Sequence, residues 1–426
     1  MNDHDEDVSL FTEANSVATT NNKAPQYTGV IATSLNLLNS TLGAGILSIS
    51  NSFGFCGLVP STAILTASAV LSFISASMVV KMHTISGINS FAIIAKTTLG
   101  KPGKLISDAS LILFCYSCMV AYVIMGTEII QSWAMAVHID LHSFGKRALT
   151  VICYAFGLPI LLTVPRNMTF LSYISFSCFI ALSMFFFGMI YKGFTVLPKT
   201  GIDPTAETAT FNLHIFNALA VHVLCYSLSG IIIPIVKVMA PSLHLRNVSC
   251  GISFFASYMF VLIPAVIGYL LFGQKCEPLI LNNFEDSDPL FVIIRIACFI
   301  VLVSSYPMIG LSLLTMYSQI FFGTEEQQNL PFAKRLVCLA LENAPPLLVA
   351  LFLPNARPAL AIGGALGGGV TNYCLPPLMY IKLYQTKFSN YKTWLMITFS
   401  VVGVIMCGIA TYEAVLDAID AFSHKI

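Results

Sequence analysis

The residues best suited to hold a small ligand lie in the run Asn39-Ser40-Thr41-Leu42-Gly43-Ala44-Gly45-Ile46-Leu47. An apolar stretch of membrane length, residues 34–57, is broken there in the middle by Gly43-Ala44-Gly45, with Asn39 and Thr41 just before the break. In hydrocarbon an unpaired backbone group costs several kcal/mol, so a helix interrupted at this point must face protein, water or a ligand. Gly43 and Gly45 let the backbone approach a carboxylate with no Cβ in the way. Gly-x-Gly alone also permits tight helix packing; a second interruption favours the binding reading. Residues 214–239 run apolar, reach Tyr226-Ser227-Leu228-Ser229-Gly230, and continue apolar to Pro234. Half-helix N-termini offer free N–H groups to an anion, and unwound carbonyls suit a cation or ammonium group. An amino acid zwitterion carries one group of each sign.

The composition supplies the long helices that such breaks require. Of 426 residues, 56% are hydrophobic and only 10% are charged, against about 25% charged in a soluble domain. This excludes an ordinary soluble enzyme and predicts an all-α membrane protein. The apolar runs are continuous, unlike the alternation of a β-barrel. A net charge of +1 leaves no basic footprint for nucleic acid; the partners predicted are a small molecule and the lipid bilayer.

About 20 apolar residues cross the ~30 Å hydrocarbon core, and that ruler marks eleven spans. They cover residues 28–54, 57–82, 105–136, 147–164, 169–191, 214–239, 246–273, 289–321, 333–353, 358–383 and 393–418. The interruptions fall in the first and sixth, five spans apart, as expected of two five-helix repeats inserted with opposite topology. The first repeat is then 28–191 and the second 214–383, with 393–426 forming the last span and a short outer tail. Residues 1–26 are acidic and rich in Asn and Thr, too polar to fold alone, and read as a disordered cytosolic tail. They lack the pattern of a signal peptide. Lys81, Lys96, Lys101, Lys104, Lys237 and Arg246 weight the tail-bearing side, which sets the N-terminus cytosolic and the C-terminus outside or lumenal. The segment 84–104 is too short and polar to span and suits an amphipathic helix at the inner surface.

Other residues with chemical potential are scattered. Twelve cysteines fall almost entirely in apolar runs, where they act as small hydrophobes; Cys56 and Cys276 can both reach the outer side and could form a disulfide. Glu128, His222, Arg295 and Glu342 are ionisable residues inside spans, where such groups are expensive. Glu128 is either a proton-coupling group or a structural partner. Arg295 reads as snorkelling to the outer interface, and His222 as bonded to a backbone carbonyl. Glu413, Asp417 and Asp420 read as solvated. The run Gly363-Gly364 and Gly367-Gly368-Gly369 is followed by Val370-Thr371-Asn372, without the Lys-Ser/Thr of a phosphate loop, so it serves close packing or a hinge. No nucleophile–base pair or nucleotide signature stands out, so the chain does not read as an enzyme, and no cofactor beyond a coupling ion is implied.

Three motifs in order resemble the amino acid/auxin permease family, in particular its sodium-coupled neutral amino acid transporters and vacuolar amino acid transporters. They are Asn39 to Leu47, Ser304-Ser305-Tyr306-Pro307, and Pro376-Pro377-Leu378-Met379-Tyr380-Ile381-Lys382. The resemblance runs from about residue 28 to 416 and implies a LeuT-like fold of eleven helices and secondary transport of amino acids. It places the backbone of Thr41, Leu42, Gly43, Ala44 and Gly45 on the substrate carboxylate. The carbonyls around Tyr226, Ser227 and Ser229 would meet the amine. Asn39 with Ser304 and Ser305 would form or border a sodium site. A threonine of the sodium-coupled members is replaced here by Val303 or Ser304. Leu228-Ser229 stands where those members carry Cys-His, and Lys237 where an acidic residue is common. The expectation is therefore a symporter of small neutral amino acids driven by Na+ or H+, at the plasma membrane or a vacuolar or lysosomal membrane. The alternative is an amino acid sensor on a transporter fold, with a channel as a third reading.

Overall fold

The computed structural model describes residues 27–43, 45–165, 169–324, 329–386 and 389–423. The predicted tail, 1–26, and Ala44 lie outside the described residues. The described part of the chain is almost wholly helical. Its elements are α1 (Val30–Thr41), α2 (Gly45–Ser52), α3 (Leu58–Ser86), α4 (Phe91–Ala136), α5 (Phe144–Gly157), α6 (Pro159–Thr163), α7 (Thr169–Thr200) and α8 (Ile215–Cys225). There follow α9 (Ile233–Val236), α10 (Leu243–Phe272), α11 (Pro289–Phe322), α12 (Phe332–Phe352), α13 (Arg357–Ile362), α14 (Leu375–Leu383) and α15 (Tyr391–Ser423).

Among the described residues, eight helical stretches are long and apolar enough to cross a membrane; a ninth is the pair α1–α2, bent by 53° at its break. Eleven were expected. The other two, 214–239 and 358–383, are divided into pieces too short to qualify by length. The first is interrupted between α8 and α9, and the second passes through π-helical turns at Gly363–Gly368 and Val370–Cys374. Wide turns of this kind occur as local bulges, frequently at functional sites.

Two groups of helices are apparent from their packing. In one, α1, α2, α3, α8 and α10 pack on one another. In the other, α4, α5, α6, α11 and α12 do so, and α7 lies against both α10 and α11. The segment expected to be amphipathic is helical from Phe91 and joins the long apolar part of α4 through Gly100, whose φ of 75° breaks the helix. Such a left-handed φ suits a residue without Cβ.

Prolines inside helices leave carbonyls that neighbours must satisfy. In α12, Pro345 lacks the N–H that would bond Leu341, and the Tyr116 hydroxyl donates to the Leu341 carbonyl instead at 2.6 Å. Arg295 is not snorkelling. It is 1% exposed and folded under the loop after α10, donating to the carbonyls of Leu281 at 3.0 Å and Phe284 at 2.7 Å, with Asp286 3.0 Å away. The loop carbonyls supply what bulk water was expected to supply. Glu413 is also buried, 3.3 Å from His214, and Asp417 pairs with Arg357. Cys56 and Cys276 are both buried free thiols, not a disulfide.

Candidate functional site at the paired helix breaks

The two interrupted helices meet at their breaks. The α1 helix ends at Thr41, and the Leu42 N–H closes its last turn on Leu38 O at 3.0 Å. The Thr41 hydroxyl donates back to Leu38 O at 2.8 Å and lies 2.7 Å from Ser257 of α10. The helix then restarts at Gly45, so the first N–H groups of α2 have no acceptor in their own helix. Close approach explains both glycines. A Cβ on Gly43 would lie 2.6 Å from the Tyr122 hydroxyl of α4, and one on Gly45 would lie 2.5 Å from Cys225 Sγ at the end of α8.

Across from Gly45, α8 stops at Cys225 and the chain runs irregularly through Tyr226, Ser227 and Ser229. These residues are buried. Their hydrogen bonds are mostly internal: Ser227 Oγ donates back to Val223 O at 2.8 Å, and Ser229 Oγ donates to Ser75 Oγ of α3 at 3.2 Å. The Tyr226 carbonyl accepts from Leu228 N–H at 2.9 Å and from Asn372 Nδ2 at 3.0 Å, so both its lone pairs are engaged. Among the described residues, the carbonyls of Ser227 and Ser229 accept no hydrogen bond.

Asn372 is a residue that sequence reasoning missed. It sits in the π-helical stretch before α14 and is 0% exposed. Besides the Tyr226 carbonyl, its amide donates to Ser72 Oγ at 3.2 Å, and its Oδ1 accepts from Ser229 N–H at 3.1 Å. Its own carbonyl accepts from Ser75. One side chain thus replaces helix bonds lost in the break and ties it to α3. The available signal was a carboxamide in an apolar span just beyond a glycine run. That run is where the packing reading holds: a Cβ on Gly367 would lie 2.7 Å from Phe114 of α4, and Gly364 abuts the Ala220 carbonyl of α8.

The two broken helices are also joined at both ends. On the side where the described chain begins, Thr28 N–H donates to Val238 O at 3.0 Å and forms a bridge with Met239. On the opposite side, His222 of α8 lies with Nε2 2.9 Å from Ser52 Oγ at the end of α2. The Ser52 hydroxyl is committed to Ile49 O at 2.6 Å, so the ring donates. His222 therefore bonds a side-chain hydroxyl and not the carbonyl expected.

The remaining expected site residues are separate. Asn39 is partly buried, and its Oδ1 is enclosed without a hydrogen-bond partner. Ser304 and Ser305 on α11 are buried and lie within hydrogen-bond reach of Cys178 on α7. Helix α7 packs against both α1 and α11, but among the described residues no direct hydrogen bond joins Asn39 to either serine. All three are oxygen groups of the kind a hard cation takes, one orphaned amide oxygen and two hydroxyls, but among the described residues nothing brings the three together. Glu128, near the end of α4, accepts from Asn282 of the loop after α10 at 3.2 Å.

The geometry can be set against known proteins. Residues 26–416 match the family described as transmembrane amino acid transporter protein. A curated relative, the sodium-coupled neutral amino acid symporter 2 of Danio rerio, is 23% identical over 385 residues, covering 83% of this chain and 75% of that one. Among solved structures, MhsT in complex with L-phenylalanine is similar with a TM-score of 0.56 at 13% identity, covering 92% of this chain and 100% of that one. Mhp1, a nucleobase-cation-symport-1 family transporter in a closed conformation, gives a TM-score of 0.54 at 13% identity, with 96% of each chain covered. These likenesses establish a LeuT-like fold. The span of the family match, over nearly all of the described helices, decides the assignment: the chain belongs to the transmembrane amino acid transporter protein family.

Proposed function

We propose that the chain moves small neutral amino acids by alternating access, with the substrate held between the breaks at Thr41–Gly45 and Tyr226–Ser229. The observation that carries this reading is the contact of Gly45 with Cys225, which sets the free N–H groups of α2 beside the irregular chain after α8. The carboxylate would meet the backbone around Gly43 and Gly45, and the amine the Ser227 and Ser229 carbonyls. The group α1, α2, α3, α8 and α10 would rock against the group α4, α5, α6, α11 and α12. In this reading the divided stretches 214–239 and 358–383 count as spans, giving eleven with the N-terminus cytosolic.

Sodium is the proposed driving ion. It would be held by Asn39 Oδ1 with the Ser304 and Ser305 hydroxyls, and its role would be to favour the substrate-ready arrangement of α1. One monovalent cation crossing ~100 mV supplies about 2.3 kcal/mol, which corresponds to a roughly forty-fold concentration ratio. Glu128 remains the proposed proton-coupling candidate at the loop-bearing end, where protonation would weaken its hold on Asn282. The test is uptake and counterflow of L-alanine in proteoliposomes under imposed sodium or pH gradients. Saturable, sodium-dependent counterflow supports the reading; binding without counterflow would favour a sensor and overturn it.

A further inference from the structure

Glu342 lies midway along α12, ten residues from either end of Phe332–Phe352. It is 0% exposed, and neither carboxyl oxygen has a hydrogen-bond partner. The surrounding polar groups are numerous, yet those that are hydrogen-bonded donate to other acceptors. On α4, Tyr116 donates to Leu341 O at 2.6 Å. On α11, Tyr317 is bonded to the Tyr116 hydroxyl, and since the Tyr116 proton is committed, Tyr317 donates. Also on α11, Tyr306 donates to Asn343 Oδ1 at 2.9 Å. Asn343 Nδ2 donates to Leu339 O at 2.9 Å and to Thr163 Oγ1 at 3.3 Å. The bonds flank Glu342 at positions 341 and 343 and omit it.

Space for the carboxyl is specific. Gly310 of α11 faces Glu342 Oε1 so closely that a Cβ there would overlap it. Pro346 also removes the N–H that would bond the Glu342 carbonyl. The titratable and charged groups facing this carboxyl are Cys115 and Tyr116 from α4, Tyr306 and Tyr317 from α11, and Arg335 and Cys338 from α12. From the α5–α6 side come Thr163, beside Gly310, and Tyr154, near Tyr306; the buried Tyr154 hydroxyl also has no hydrogen-bond partner among the described residues. Arg335 holds the carbonyls of Val164 at 2.6 Å and Pro165 at 3.1 Å, two helical turns from Glu342.

A mid-helix carboxyl in a membrane span is expensive, and such groups mark functional sites by default. One that receives no donor is accommodated as the neutral acid. We propose that Glu342 is a reversible proton-binding site in the α4–α11–α12 group, and that its proton must leave and return as that group rearranges during transport. The charged form would be met by a donor freed from Tyr116, Tyr306 or Arg335 when α11 and α12 shift. This inference rests on the transport reading for its cycle but not for its chemistry, and the experiment separates the two.

Infrared difference spectra of the membrane-reconstituted protein read the protonated carboxyl directly, without substrate. The wild type is expected to show a carboxylic-acid band at neutral pH that Glu342→Gln lacks; a wild-type spectrum without that band overturns the proposal. L-alanine uptake measured from acidic to alkaline pH reads the consequence. Glu342→Gln should flatten the pH profile at least several-fold while keeping counterflow, and Glu342→Asp should restore a profile with a displaced midpoint. A wild-type pH profile in Glu342→Gln overturns the proposal. Loss of counterflow in the wild type would instead overturn the transport reading, with the infrared band still deciding the proton site.

Discussion

The amide of Asn372 donates to the carbonyl of Tyr226 at 3.0 Å. Through this bond a residue of the π-helical stretch holds open the break after α8, because the carbonyl is engaged without the helix being continued. The same side chain accepts from Ser229 N–H at 3.1 Å, so both ends of the irregular segment depend on one carboxamide.

Replacing Asn372 by leucine should leave the buried Ser229 N–H without a partner, at about 1–3 kcal/mol, and the Tyr226 carbonyl with Leu228 N–H as its remaining donor. The expected outcome is an inserted protein whose KM for L-alanine rises about ten-fold or more, with a smaller change in maximal rate. An unchanged KM in proteoliposomes would show that the break is held by other contacts.

Gly43→Val should abolish amino acid binding while the protein remains inserted, because the added carbons meet the Tyr122 hydroxyl, 2.6 Å from the Cβ position. Gly45→Ala should weaken binding through the Cys225 Sγ contact at 2.5 Å. Scintillation proximity with labelled L-alanine checks both; wild-type affinity in Gly43→Val would remove the carboxylate site from this break.

His222→Leu should loosen the packing of α2 on α8, since the 2.9 Å bond to Ser52 is lost. Loss of one buried hydrogen bond with little change in volume costs about 0.5–1.5 kcal/mol. A fall in Tm of the detergent-solubilised protein is expected, together with altered accessibility of a cysteine placed at the Ser52 end of α2.

Asn39→Ala should raise the sodium concentration for half-maximal uptake about ten-fold, the equivalent of about 1.4 kcal/mol. Ser304→Ala and Ser305→Ala should act in the same direction. Uptake curves against sodium at fixed L-alanine measure this, and an unaltered sodium dependence in Asn39→Ala would place the ion elsewhere.

Much of the architecture was legible because a bilayer imposes it. Long apolar runs must be helices, and the interruptions at Gly43–Gly45 and Tyr226–Gly230 stood out against them. The partners of polar side chains were not legible. Arg295 and His222 were placed in the right helices, but their bonds, to the carbonyls of Leu281 and Phe284 and to Ser52, depend on segments far away in the chain. A rule based on local hydropathy has no access to them.

The helical membrane class, the positions of both breaks and, through three ordered motifs, the resemblance to amino acid transporters were readable from residue order alone. These follow from the cost of bare backbone in hydrocarbon and from residue order. That Gly45 meets Cys225, that Asn372 holds the second break open, and that Glu342 is left without a donor beside Gly310 came from the three-dimensional packing. Those relationships join residues from different helices, and their distances are set by packing between helices, which no single stretch of sequence contains.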